Sequence, residues 1–83
     1  MWEEYCRFRQ GFSDAMDHRF YTIRHLDDLV RTGTVQFLCT EGSAIVFKVR
    51  LYPTGKKALH GLYATGDLDE IASVLIPCAE EWG

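Results

Sequence analysis

Apolar residues recur at three- and four-residue steps over the first sixteen positions, and this spacing predicts a helix from Met1 to about Met16. The stripe on its core-facing side consists of Trp2, Tyr5, Arg9, Phe12 and Met16. Gly11 lies inside this segment. Because glycine costs about 1 kcal/mol relative to alanine in a helix interior, we expect the helix to bend or break at Gly11.

A second, shorter helix is predicted near residues 23 to 32. Thr22 is suited to cap its first turn, and Gly33 stands where a left-handed residue often ends a helix. Its apolar edge is formed by Leu26, Leu29 and Val30. His18 and His25 flank or enter the helix without a second ligand at metal-binding spacing, so we assign them no metal.

The periodicity then changes from 3.6 to 2, which predicts strands. Alternation covers residues 35 to 40, 45 to 52 and about 58 to 64. Glu41 and Gly42 form the first connection, and the Pro53 to Gly55 stretch forms the second. Strands joined by such short turns predict an antiparallel meander.

The second strand has an apolar face and a mixed face. The apolar face consists of Ile45, Phe47, Val49 and Leu51, and the mixed face of Val46, Lys48, Arg50 and Tyr52. We therefore expect one face to be core and the other to meet water or a partner. Gly61, in the third strand, is consistent with a bulge, with close approach of another backbone, or with a simple packing allowance.

A final helix is predicted from Asp67 to about Trp82, because Asp67 followed by Glu70 resembles a capping box. Its apolar face contains Leu68, Ile71, Leu75, either Cys78 or Ala79, and Trp82. Pro77 removes a backbone donor and crowds the carbonyl of Ser73, so we expect a kink near the middle.

These elements predict an α+β fold with N-terminal helices, a three-stranded antiparallel meander and a C-terminal amphipathic helix, in one domain over residues 1 to 83. A hydrophobic content of 47% is too high for a disordered chain. A three-stranded sheet covered on one face leaves an apolar surface, and in a small protein such a surface commonly marks an oligomer interface. We therefore expect a homodimer.

The net charge of −3 argues against nucleic-acid binding, which normally needs a basic surface. The basic residues that cluster are Lys48, Arg50, Lys56 and Lys57, and a solvated hairpin explains them better than a binding patch.

Cys6, Cys39 and Cys78 lie in different elements, without metal or redox spacing, which predicts buried free thiols in a reducing compartment. No apolar run approaches the roughly 20 residues that span a bilayer, and the N-terminal charges do not fit a secretory signal. We therefore expect a cytoplasmic protein that does not enter the membrane.

No P-loop, dinucleotide fingerprint, nucleophile elbow or metal-binding histidine pair is present in the sequence. The stretch from Leu62 to Asp67 has small residues and a helix start, which together can hold a pyrophosphate. An ordinary self-capped helix is the alternative, because Asp67, Asp69 and Glu70 put carboxylates in the first turn.

Two segments resemble the GNAT superfamily of N-acetyltransferases, particularly its small phage and prophage members. FYTIRHLDDLVRTG, residues 20 to 33, resembles the capped second helix of that family. SAIVFKVRLYPTGKKALHGLYATGDLDEIASVLIPCAEEWG, residues 43 to 83, resembles its central hairpin and following helix. The resemblance covers only the first part of the family's fold.

The resemblance implies that acetyl-CoA lies along Leu62, Tyr63 and Ala64, with its pyrophosphate on Thr65 and Gly66. His60 or a bound water would then deprotonate the acceptor amine. The family's glutamine or arginine and paired glycines are replaced here by acidic residues, and its later strands and helix have no counterpart in these residues.

The sequence therefore predicts a GNAT-like domain that lacks a complete acetyl-CoA site and acts as a non-catalytic or degenerate dimeric interaction module through its sheet face and edge. The alternative is an acetyl-CoA-dependent N-acyltransferase whose cleft is completed by a second subunit or by a longer chain.

Overall fold

The computed structural model describes residues 1 to 81 and has the predicted α+β architecture. Its elements are, in order, α1 (Trp2–Ala15), α2 (Ile23–Arg31), β1 (Gln36–Cys39), β2 (Ala44–Leu51), β3 (Lys57–Thr65), α3 (Leu68–Glu70), a π-helical turn (Ile71–Leu75) and α4 (Ile76–Glu80). The last three follow one another directly and are called the C-terminal helix. Trp82, which the sequence placed on this helix, lies outside the described residues.

The two N-terminal helices have the predicted limits to within a residue or two. Helix α1 is a single element that continues through Gly11, so the predicted break does not occur there. A Cβ atom at position 11 would overlap the side chain of Thr65, which explains a glycine at this position. Thr22 caps α2 by accepting the His25 N–H, and Gly33 follows the helix with a φ of 73°.

The sheet has the order β1-β2-β3, and both pairings are antiparallel. In the β2–β3 ladder Val46 faces Tyr63 while Phe47 faces Gly61, so Leu62 is an extra residue on β3. This is a β-bulge. No atom lies within 4 Å of a Cβ built at Gly61, so of the alternatives for this glycine the structure shows the bulge and not a close approach.

Helices cover both faces of the sheet, which corrects the expectation that one face of β2 meets water or a partner. At the start of β2, Ala44, Ile45, Val46 and Phe47 are all buried. The core against α1 and α2 contains Tyr5, Phe12, Met16, Leu26, Val30, Val35, Phe37, Ala44 and Val46. The core against the C-terminal helix contains Ile45, Phe47, Ile71, Leu75 and Ala79.

The far half of the β2–β3 hairpin is much more exposed than its first half. Leu51, predicted as part of the core face, is 68% exposed near the tip of the hairpin. Lys48 and Arg50, on the opposite face from Leu51, lie beyond the buried start of β2. The apolar surface expected from an uncovered sheet is therefore restricted to this half and to the outer edge of β3.

The C-terminal helix is distorted where Pro77 predicted it. The Ile76 N–H donates to the carbonyl of Ile71, five residues back, in the π-helical turn that precedes Pro77. Since proline has no N–H for the Ser73 carbonyl, the wider turn accommodates it.

Three predicted positions on or near this core are corrected. Leu68 is 79% exposed at the first position of the C-terminal helix. Ala79 is buried and Cys78 is exposed, so the alternative left open between them is decided for Ala79. Cys6 is also exposed and Cys39 is half-buried, so the expectation of buried thiols is wrong for two of the three cysteines.

A buried polar cluster joins α1 to α2. The Tyr5 hydroxyl donates to Asp27 Oδ1 at 2.7 Å, and the Arg9 guanidinium forms a two-pronged contact with the same carboxylate at 2.9 to 3.2 Å. Burial alone raises the pKa of Asp27, but the hydrogen bonds from Arg9 and Tyr5 outweigh it, so the pKa lies below its ordinary value. Arg9, predicted on the apolar stripe, therefore neutralises a carboxylate beneath α1.

Candidate functional site

Strand β3 pairs with β2 along one side, and its other side is an outer edge of the sheet among the described residues. A free strand edge presents backbone N–H and C=O groups that another strand can pair with. Proteins usually protect such an edge with charges, prolines or bulges. Here the protection is the bulge at Gly61 and Leu62, and no charged side chain occurs between Ala58 and Thr65.

An open apolar groove of about 280 Å³ runs between β3 and the C-terminal helix. It is lined by Ile45, Val46, Phe47, Leu59, Gly61, Leu62, Tyr63, Ala64, Ile71 and Ile76. We call it the helix-side groove. It extends the core formed by Ile45, Phe47 and Ile71 outward to solvent, because small residues on β3 leave its outer part unfilled.

A second apolar groove, of about 140 Å³, lies on the other face of the sheet against α2. Its lining consists of Met16, Tyr21, Thr22, His25, Leu26, Leu29, Leu62 and Tyr63. We call it the α2-side groove. Burial, followed by the effect of nearby Tyr21, raises the pKa of Tyr63, so this phenol carries no charge at neutral pH.

Leu62 and Tyr63 line both grooves, so the two grooves meet at the bulge. The exposed apolar side chains around this junction are Tyr21, Leu59, Leu62 and Ile76. We call these four residues the β3 edge surface. A contiguous exposed apolar patch on a small protein commonly marks an interaction site.

Opposite charges lie at the two ends of β3. Lys56 precedes the strand, and Lys48 and Arg50 lie beside its first half on β2. Beyond the other end come Asp67 and Asp69, in the first turn of the C-terminal helix. The β3 edge surface is therefore an uncharged strip between a basic end and an acidic end.

The residues predicted to contact acetyl-CoA are only partly brought together. Leu62, Tyr63 and Ala64 all line the helix-side groove, although Tyr63 also packs against the α1 and α2 core. Gly66 instead packs tightly on the β1–β2 turn, since a Cβ built there would lie 2.6 Å from both Cα and Oγ of Ser43. Its φ of 109° also favours glycine.

The start of the C-terminal helix is capped by its own chain. Asp67 Oδ1 accepts the N–H groups of Asp69 and Glu70, and the Asp67 N–H donates to Ser43 Oγ at 3.0 Å. The Glu70 carboxylate accepts the Thr40 hydroxyl instead of returning to Asp67, so only half of the predicted capping box forms. These N–H groups therefore already have acceptors, and pyrophosphate binding at Thr65 and Gly66 stays a prediction.

His60, the candidate base, faces Lys48 in the ladder with β2. Its neighbour Leu59 faces Val49, which packs toward the C-terminal helix. Because adjacent strand residues point to opposite faces, His60 lies on the other face from the helix-side groove. Among residues 1 to 81, we find no side chain hydrogen-bonded to His60 that would orient its ring for proton transfer.

Sequence reasoning missed Tyr21 and Ile76 as members of this surface. Tyr21 follows Phe20 in a connection of mostly polar residues, and exposed neighbouring aromatic residues there were an available signal. Ile76 lies one position beyond Leu75, off the predicted core stripe, because the π-helical turn shifts the phase of the helix.

Within the part of the chain that the structure describes, no cluster of three or more histidine, cysteine, aspartate or glutamate side chains could hold a metal ion. None of the helices formed by residues 1 to 81 is long and apolar enough to cross a bilayer.

No family model, curated protein or solved structure matches this chain. The resemblance to N-acetyltransferases is therefore a hypothesis that rests on the quoted segments alone.

Proposed function

We propose that this protein is a non-catalytic interaction module that forms a homodimer through the β3 edge surface. The observation that supports this most is the combination of a free strand edge with apolar grooves on both of its faces. A strand edge supplies backbone hydrogen bonds, and flanking pockets accept alternate side chains of the added strand.

The anchor of this surface is Leu62. It is 40% exposed at the junction of the two grooves, where the bulge moves it out of the regular ladder. Fully burying a leucine side chain is worth about 1.5 to 3 kcal/mol relative to leaving it exposed. Replacing Leu62 with a charged residue would remove this gain and also place a charge in an apolar contact.

The experiment is the mass in solution of the wild-type chain and of Leu62→Asp, measured by sedimentation over a concentration series. Leu68→Asp is the matched control, because Leu68 is more exposed than Leu62 and lines neither groove. We expect a dimer for the wild type and the control, and a monomer for Leu62→Asp. A wild-type chain that stays monomeric at every concentration, or a dimer unaffected by Leu62→Asp, would contradict the proposal.

The alternative is an acetyl-CoA-dependent N-acyltransferase completed by a second subunit or a longer chain. In its favour, Leu62, Tyr63 and Ala64 line an apolar groove. Against it, the backbone donors at the helix start have acceptors within the chain, and His60 lies on the far face of the sheet. The interaction module needs neither of these features to change.

A further inference from the structure

We infer that the two copies join β3 to β3, antiparallel, across a two-fold axis at Leu59, so that two three-stranded sheets become one six-stranded sheet. This inference rests on the proposed function and adds the identity, direction and register of the contact. Three independent features of β3 support it.

The direction follows from the charges. The basic end of β3 has Lys56, with Arg50 beside it, and the acidic end leads to Asp67 and Asp69. Antiparallel pairing about a two-fold axis places the basic end of each copy beside the acidic end of the other. Parallel pairing would place like charges together. A second copy therefore supplies the charge complement that the two ends of this strand require.

The register follows from the bulge. Gly61 and Leu62 interrupt the regular ladder, and α1 approaches closely at Thr65. The regular outer edge is therefore the five residues Lys57 to Gly61. Its midpoint is Leu59, so pairing about the midpoint sets Leu59 opposite Leu59, Ala58 opposite His60, and residue 57 opposite Gly61. No two like charges face each other directly in this register.

The same register joins the two helix-side grooves. Leu59 faces Val49, so its side chain lies on the face covered by the C-terminal helix. The two copies of Leu59 would therefore contact each other on this face, with Leu62 and Ile76 of each copy to either side. The result is one continuous apolar seam across the axis.

The test is site-specific cross-linking in a chain with Cys6→Ser and Cys78→Ser, which removes the two exposed thiols. Leu59→Cys lies at the proposed axis. Leu51→Cys is the control, since Leu51 is exposed on the same face of the neighbouring strand and away from the edge. Each variant is treated with mild oxidant and with a short bis-maleimide, and its mass is measured under native and denaturing conditions.

We expect a covalent dimer with Leu59→Cys and none with Leu51→Cys. A native dimer that does not cross-link at position 59, or that cross-links equally at position 51, overturns the inference while leaving the proposed function intact. A native monomer for the parent chain contradicts the proposed function itself, so the two failures are distinguishable.

A charge exchange tests the direction of pairing separately. Lys56→Glu is expected to raise the dimer dissociation constant about two- to fivefold, because an exposed ion pair contributes about 0.2 to 1 kcal/mol. Adding Asp69→Lys to Lys56→Glu should restore the affinity. If the double variant instead dimerises more weakly than Lys56→Glu alone, antiparallel pairing is overturned.

Discussion

Gly11 of α1 lies so close to Thr65 of β3 that a Cβ atom at position 11 would overlap the threonine side chain. The contact joins the middle of the first helix to the end of the last strand. It places a glycine where helix propensity alone would favour alanine, and it holds α1 against the sheet beside the α2-side groove. The packing distance between these two elements therefore depends on a missing side chain.

Gly11→Ala is expected to destabilise the protein by about 1 to 3 kcal/mol, because overpacking outweighs the roughly 1 kcal/mol that alanine contributes to a helix interior. Denaturant unfolding measures the change. Gly42→Ala is the control, since nothing lies within 4 Å of a Cβ built at Gly42. Thr65→Ala should recover part of the loss when combined with Gly11→Ala. An increase in stability on Gly11→Ala would show that the two elements separate easily.

Tyr5→Phe is expected to lower the free energy of unfolding by about 1 to 2 kcal/mol, because it removes a buried hydrogen bond to a carboxylate and leaves the ring in place. The Tyr5 side chain is fully buried, and its hydroxyl contacts Asp27 at 2.7 Å. Tyr52→Phe, at an exposed tyrosine, is the matched control and should change stability by less than about 0.5 kcal/mol. Equal effects of the two variants would mean that the Tyr5 hydroxyl contributes nothing.

The same cluster predicts a pH dependence. The pKa of Asp27 in the folded protein lies below its ordinary value of 3.8. A carboxylate with a lowered folded pKa contributes stability that is present above the unfolded pKa and is lost as the pH falls through the folded pKa. We therefore expect the stability difference between wild type and Asp27→Asn to be constant near neutral pH and to shrink below about pH 4. Urea unfolding at a series of pH values measures it, and a difference that grows on acidification would contradict the assignment.

Acetyl-CoA titration followed by NMR distinguishes the two functional hypotheses. We expect no saturable shift at the amides of Gly66, Asp67 and Asp69, because the Asp67 and Asp69 N–H groups already donate to Ser43 and Asp67, and Gly66 packs on the β1–β2 turn. Amides of α2 serve as the reference for nonspecific effects. Saturable shifts confined to the end of β3 would instead favour the acyltransferase hypothesis.

Local signals in the sequence were sufficient for most of the secondary structure. Thr22 and Gly33 delimit α2, and Asp67 begins the C-terminal helix, because each of these residues performs its role within its own turn. The alternation in β2 and the glycine at the bulge were likewise readable, since they depend on the strand itself.

The contacts between distant elements could not be predicted in the same way. Alternation in β2 shows two faces but does not show that a helix covers each of them, so Val46 was assigned to a partly solvated face. The contact of Arg9 with Asp27 has no local signal, because it joins two helices through residues that are individually ordinary. The β3 edge surface likewise depends on where α2 and the C-terminal helix pack.

The burial of both faces at the start of β2 has a consequence for folding fidelity. In a half-buried strand, a slip of one residue exposes apolar side chains and is penalised at once. Between Ala44 and Phe47 every side chain is buried, so hydrophobicity alone barely distinguishes the native alignment from its neighbour. Correct alignment must then be enforced by features that tolerate no shift, namely the bulge at Leu62 and the hydrogen bond from Asp67 to Ser43. Weakening either one should favour misaligned hairpins more than it favours global unfolding.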